Sequence, residues 1–162
     1  MKFSKVLKVK SPNRGHATDA GIDFFIPDFT EEFISQLKEK NSHILFNEDG
    51  IQLLAHQRIL IPSGIKMNVP INHALIAFNK SGVASKQGLD LLASVVDHGY
   101  QGQIHISIYN TSSNILNLKY GSKIIQFILL PIKTPEVEEC SEEELFIESS
   151  NRGEGGFGST GV

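Results

Sequence analysis

Tryptophan is absent from the 162 residues, and cysteine occurs once, as Cys140. One cysteine cannot form an intrachain disulfide, so core burial must hold the fold, and nothing points to an oxidising compartment. Cys140 sits among glutamates, an environment that disfavours the thiolate and argues against a nucleophilic role. Long apolar runs are missing too. No stretch is long enough to span a bilayer, and Met1 to Leu7 alternates lysine with apolar residues instead of forming the apolar core of a signal peptide. A soluble cytoplasmic protein is expected.

Positive charge is in short supply: 15 Lys and Arg stand against 18 Asp and Glu, a formal net charge of -3. That balance gives no electrostatic footprint for duplex nucleic acid or an anionic membrane. A polyphosphate remains accessible, because backbone N–H groups and a metal can supply a local positive field. The six histidines, His16, His43, His56, His73, His98 and His105, lack the spacing of a zinc site. Serine-nucleophile signatures are also lacking.

What is present is a series of short apolar or alternating runs separated by turn residues, the pattern of an all-β domain. Strands are expected over Phe3–Val9, Ile22–Ile26, Ile51–Leu54, Arg58–Ile61, Lys66–Val69, Ala74–Phe78, Gly88–Leu92, Ile104–Tyr109 and Lys123–Leu130. Ala55-His56-Gln57 joins two of these as a hairpin or a corner. One segment departs from the pattern. Thr30–Lys40 places Phe33, Ile34 and Leu37 on one helical face, with Thr30 as N-cap, acids first and lysines last. It reads as a short helix inserted between strands, either a decoration packed on the barrel surface or a contact for a protein partner.

Composition divides the chain into a β-domain over residues 1–135, with the insertion at about 28–50, an acidic linker over 136–148 and a Gly-rich tail over 149–162. Such a tail cannot bury enough apolar area to fold alone and is expected to act as a mobile lid. Its glycines expose successive N–H groups, Ser159 and Thr160 add hydroxyls, and Arg152 offers a fork for phosphate. Phe157 has no local core to join and suits stacking on a flat ligand, unless the tail is simply a Gly/Ser end with one incidental aromatic.

Four more segments carry candidate chemistry. Asp97 ends an apolar run before a Gly-containing turn; it is either a general base at a pocket mouth or a turn residue. Tyr100, three residues on, can wall such a pocket. Lys80-Ser81-Gly82 offers a cation, a hydroxyl and an N–H together in one turn. Asp23 alternates with strand residues and is either buried and hydrogen-bonded or a holder of metal-bound water. Gln126 is the polar side chain in an apolar strand and needs a partner.

In order along the chain, Ala20-Gly21-Ile22-Asp23, Lys80-Ser81-Gly82-Val83-Ala84, Val96-Asp97-His98-Gly99-Tyr100-Gln101-Gly102, Gly121 through Gln126 and Arg152 through Gly161 resemble the five motifs of the trimeric dUTPase family. The resemblance implies a jelly-roll-like β-barrel that hydrolyses dUTP to dUMP and pyrophosphate. That reaction limits uracil incorporation into DNA and supplies dUMP. It also implies a homotrimer with sites between subunits. By resemblance, Asp97 is the catalytic general base, Tyr100 packs on deoxyribose, and the backbone of about Leu89 to Asp97 reads the uracil edge. Lys80, Ser81, Gly82 and Gln126 contact phosphates, Arg152 clamps the γ-phosphate, and Phe157 closes over uracil. Gly158, Ser159 and Thr160 complete the phosphate contacts. The cofactor implied is Mg²⁺, held by the triphosphate and waters with no direct protein ligand, Asp23 contributing structurally or through water.

Three departures stand out. The family's second motif carries Arg where this chain has Lys80, which keeps charge but loses bidentate geometry. Ser94 replaces the usual Gly that opens the third motif, and Gly99 replaces its second Asp. The long connector between Asp23 and Lys80 is similar to that of phage-type members, for which the location would be the host cytoplasm. Two other readings stay open: a dCTP deaminase-like enzyme, and a nucleotide-gated binding or signalling protein acting through the Thr30–Lys40 helix.

Overall fold

The computed structural model describes residues 1–47 and 50–156. In chain order the elements are β1 (Lys2–Lys5), β2 (Ile22–Phe25), α1 (Glu31–Lys40), β3 (Leu45–Asn47), β4 (Gly50–Leu53), β5 (Arg58–Pro62), β6 (Ile65–Asn68) and β7 (His73–Asn79). They continue with α2 (Ser81–Gln87), β8 (Leu89–Ala93), β9 (Val95–Val96), β10 (His105–Asn110), β11 (Leu116–Leu118), β12 (Lys123–Pro131) and α3 (Glu142–Leu145). The strands pair antiparallel in four sheets, ordered β1-β6, β5-β10-β8, β11-β4-β3 and β2-β12-β7-β9. Alternation decides which face turns inward. Along β10 every second residue is buried, and the inward isoleucines 106 and 108 meet Ile59 and Ile61 of β5. Phe24 and Phe127, 4.5 Å apart between ring centres, sit where β2 meets β12.

The Ala55-His56-Gln57 connection is a corner, not a hairpin. β4 pairs with β3 and β11 while β5 pairs with β10, so the chain changes sheet there. His56 takes a left-handed φ of 56° at the bend, and the buried Asn110 amide donates to Leu53 O, Leu54 O and Asn114 O to hold it. The expected first strand ends early: after Lys5 the chain bends so that Leu7 and Val9 pack on Gly64.

The inserted helix forms as its pattern requires. Thr30 Oγ1 accepts from Phe33 N at 3.3 Å, and Phe33 and Leu37 are fully buried, each burial being worth about 1.5–3 kcal/mol. Asn41 then stitches the helix to β5, donating to Leu37 O and Leu60 O and accepting from Leu60 N. Two helices were not expected. α2 occupies the segment read as a Lys-Ser-Gly turn and stops at Gly88, whose φ of 71° is the left-handed value that ends helices. α3 is a single turn closed by a Ser141–Glu144 capping box inside the acidic segment.

Candidate functional site

Asp23 lies at the centre of the first cluster. Its backbone pairs with Gln126 of β12, which on its other side faces Phe78 of β7. The residue is 3 % exposed, and a carboxylate so placed is costly unless paired. Lys80 donates to its Oδ1, and Lys123 donates to its Oδ2 at 3.0 Å. Burial pushes the Asp23 carboxyl up, but the hydrogen bonds and charges of the two lysines outweigh it, and the net direction is down.

Lys123 reaches Asp23 because of a β-bulge. Gln126 opposes Asp23 and Ile125 opposes Phe24, yet Lys123 already opposes Phe25, so Ile124 is the extra residue. In a regular strand, positions 123 and 126 would face opposite sides; the bulge puts both on the Asp23 side and buries both Ile124 and Ile125. Gln126 Nε2 donates to Asn79 O at 3.0 Å, and its side chain lies against Gly21. A β-carbon at position 21 would collide with Gln126 Oε1 and lie 2.8 Å from its Cδ, which explains a glycine there. With His16 and Asp19 these groups line a cleft of about 370 Å³. Ser81 and Gly82 follow Lys80 in the exposed first turn of α2.

The second cluster starts at Asp97, exposed at the end of β9. The turn behind it is tightly bonded: Tyr100 N donates to Asp97 O, Tyr100 Oη donates to Gln103 O at 3.0 Å, and the His98 ring nitrogen Nδ1 lies 2.8 Å from Val69 O. His98 to Gln101 line one wall of a cleft of about 650 Å³, whose other walls are Lys2 to Ser4 of β1 and Lys66 to Asn68 of β6. Asp97 precedes His98 in the chain and is not part of the lining.

The two clusters do not meet within one chain. β7 pairs with β9 in the register Leu75↔Val96 and Ile76↔Val95, which carries Asp97 to the level of Ala74, near the His73 end of β7. Lys80 follows the other end of the same strand. Six residues separate positions 74 and 80, roughly 20 Å at about 3.3 Å per residue. A base and a phosphate clamp acting on one reacting phosphorus must stand far closer than that.

Arg152 is exposed in a turn of the tail, where its Nε donates to Gly155 O at 2.9 Å. Phe157, Gly158, Ser159 and Thr160 lie outside the described residues. Among the described residues no group of three His, Cys, Asp or Glu side chains could hold a metal. Both Asp23 oxygens are already engaged by lysines. Lys123 stands in the Gly121–Gln126 segment without having been singled out by sequence reading. The adjacent Ile124-Ile125 pair, two apolar residues in a row where alternation calls for one, is the signal that could have revealed it.

Four antiparallel sheets around one core, with polar clusters at the two ends of a single strand, define an all-β protein whose site is built in parts. The dUTPase family model matches residues 43–161. The chain is 32% identical over 154 residues, 95% of its length and 82% of the relative's, to the deoxyuridine 5'-triphosphate nucleotidohydrolase of Candida albicans. It is 40% identical over 114 residues, 70% of its length and 78% of the relative's, to that of Paramecium bursaria Chlorella virus 1. Among solved structures it is similar to a Staphylococcus bacteriophage 80alpha dUTPase mutant with dUpNHpp, at a TM-score of 0.74 and 25% identity over 99% of this chain and 98% of that one. The chain belongs to the dUTPase family.

Proposed function

We propose that this enzyme hydrolyses dUTP to dUMP and pyrophosphate in sites assembled between the subunits of a homotrimer. The observation that carries the reading is the separation of the Asp97–Tyr100 turn from the Asp23–Lys80–Gln126 cluster along β7. Each half has the residue types of one part of a nucleotide hydrolase, and copies of the chain arranged head to tail around an axis bring unlike halves together. The names borne by the relatives, and the nucleotide analogue named with the phage structure, support the same substrate.

In the reaction, Asp97 accepts a proton from water as the water oxygen attacks the α-phosphorus in line. The bond from that phosphorus to the α,β-bridging oxygen breaks, and pyrophosphate leaves with the electron pair. Tyr100 packs on the sugar and, with the backbone from about Leu89 to Asp97, orients the base. Ser81, Gly82 and Gln126 hold the phosphates of a nucleotide whose base end lies on another copy, and Lys80, held by Asp23, adds positive charge beside them. Arg152, Phe157, Gly158, Ser159 and Thr160 of the tail close the site. Among the described residues no group of three His, Cys, Asp or Glu side chains offers Mg²⁺ a cage; Mg²⁺ bound on the triphosphate would offset phosphate charge beside Ser81, Gly82 and Gln126. Asp23 anchors lysines.

The test is pyrophosphate release from dUTP, dCTP, dTTP and UTP, with ammonia release from dCTP as control. Release from dUTP alone, dependent on Mg²⁺, is expected. The Asp97→Asn enzyme should bind the nucleotide yet turn over about 10²–10⁴-fold more slowly. Ammonia release, or hydrolysis by a chain that stays monomeric with nucleotide bound, would overturn the proposal.

A further inference from the structure

Lys123 has no part in the reaction as set out above. The Asp23 carboxylate, 3 % exposed, holds Lys80 and Lys123 at once. One carboxylate cannot neutralise two ammonium groups, so the triad carries one positive charge in excess. The other acid of this cleft, Asp19, feels the Lys80 charge through space, as the last and least of the effects on it, and is bonded elsewhere. Its Oδ2 accepts from His16 N at 2.8 Å and lies 3.3 Å from the His16 ring, and no ion pair joins it to either lysine among the described residues.

The two lysines are unequal. The Lys80 side chain is 22% exposed and that of Lys123 50%, so Lys80 is the partner that keeps Asp23 covered. Lys123, aimed by the bulge to the side of Gln126, stands beside it in the lining of the 370 Å³ cleft. A lysine ammonium is a compact charge on a flexible four-carbon stem, able to exchange acceptors by changing rotamers. The exchange leaves no bare charge behind, because Asp23 retains Lys80. Where an arginine could span both a carboxylate and a phosphate with its fork, Lys80 alone cannot.

We infer that Lys123 is a phosphate-binding residue, which leaves Asp23 for the substrate's polyphosphate while Lys80 stays on the carboxylate. The inference rests on the dUTP reading for its substrate, but the ligand chemistry it needs is only an inorganic polyphosphate.

Two measurements test it on the full-length enzyme. Calorimetry with tripolyphosphate reads binding without any turnover, and steady-state kinetics with dUTP at several salt concentrations reads KM and kcat separately. For Lys123→Met, affinity for tripolyphosphate should fall about tenfold, the size of one charge-assisted contact at a half-exposed site, and KM should rise equally while kcat changes little. KM should also depend less steeply on salt. Lys123→Arg should recover most of the affinity; a merely structural role would leave salt dependence unmoved. Lys123→Gln, which keeps a hydrogen-bond donor for Asp23, should bind as poorly as Lys123→Met and guards against a folding defect. If the natural enzyme binds tripolyphosphate but does not hydrolyse dUTP, the functional reading falls and this one stands. If folded Lys123→Met and Lys123→Gln bind tripolyphosphate as the natural enzyme does, this inference falls and the functional reading stands.

Discussion

The Tyr100 ring occupies the space in which a side chain at Gly102 would begin: a β-carbon there would collide with the phenol oxygen and lie 2.5 Å from Cζ. The ring is further held by the bond from its hydroxyl to Gln103 O. Tyr100 is therefore aimed by the glycine two residues on. Gly102→Ala must push the ring out of place, and a shift of about 1 Å in a positioning group costs on the order of 10²-fold in rate. The expected result is a loss of that order in kcat/KM for dUTP with weaker rejection of UTP, and an unfolding midpoint close to that of the natural chain. A variant with unchanged selectivity would separate Tyr100 from sugar recognition.

Gly21 and Gln126 stand in the same relation across two strands. Gly21→Ala should destabilise the protein by about 1–3 kcal/mol, the usual cost of overpacking. Shortening the obstructing side chain with Gln126→Ala should relieve much of that loss, and a double-mutant cycle by denaturant unfolding measures the coupling. Additive effects would mean that the two side chains move apart freely.

Acidification should weaken the fold in two separate windows. Burial holds the His105 imidazole below its ordinary value, so the folded protein favours the neutral ring. The stability this gives is complete above about pH 6.5 and is lost as pH falls through the lowered value. Asp23 is also lowered, by its lysines against the effect of burial. Its contribution is complete above about pH 3.9 and disappears as pH falls through the folded value. His105→Gln should flatten the first window only. Asp23→Asn should flatten the second and cost about 2–3 kcal/mol at neutral pH, below the value for a fully buried pair because both ammonium groups reach solvent. Urea unfolding across pH reads both.

Removing Arg152 to Val162 should leave the unfolding midpoint nearly unchanged, since the described part of that segment, Arg152 to Gly156, buries nothing in the core. Hydrolysis of dUTP should fall steeply. A large loss of stability instead would give the tail a structural role in the assembled enzyme.

The strands were legible where apolar residues run together, as in β7 and β12, or alternate, as in β10, and α1 was legible from Phe33, Leu37 and the Thr30 cap. What escaped was set by geometry that no short pattern encodes. β9 and β11 are too short for alternation to register. α2 contains a glycine and two serines and reads locally as a turn; only the left-handed Gly88 marks its end. The residues of the Asp23 cluster were visible as types, but their meeting depends on the register of three strands and on one extra residue in β12. For that reason Gln126 was recognisable and Lys123 was not. The gap between Asp97 and Lys80 was likewise invisible, since both flank apolar strands and only pairing shows that they lie at opposite ends.

That opposition along β7 has a genetic consequence. A chain crippled at Asp97 still carries an intact Lys80 end, and a chain crippled at Lys80 still carries an intact Asp97. Co-expressed or refolded together, two inactive versions should regain turnover, because some mixed rings will pair a sound end from each. Neither version should recover alone at any concentration.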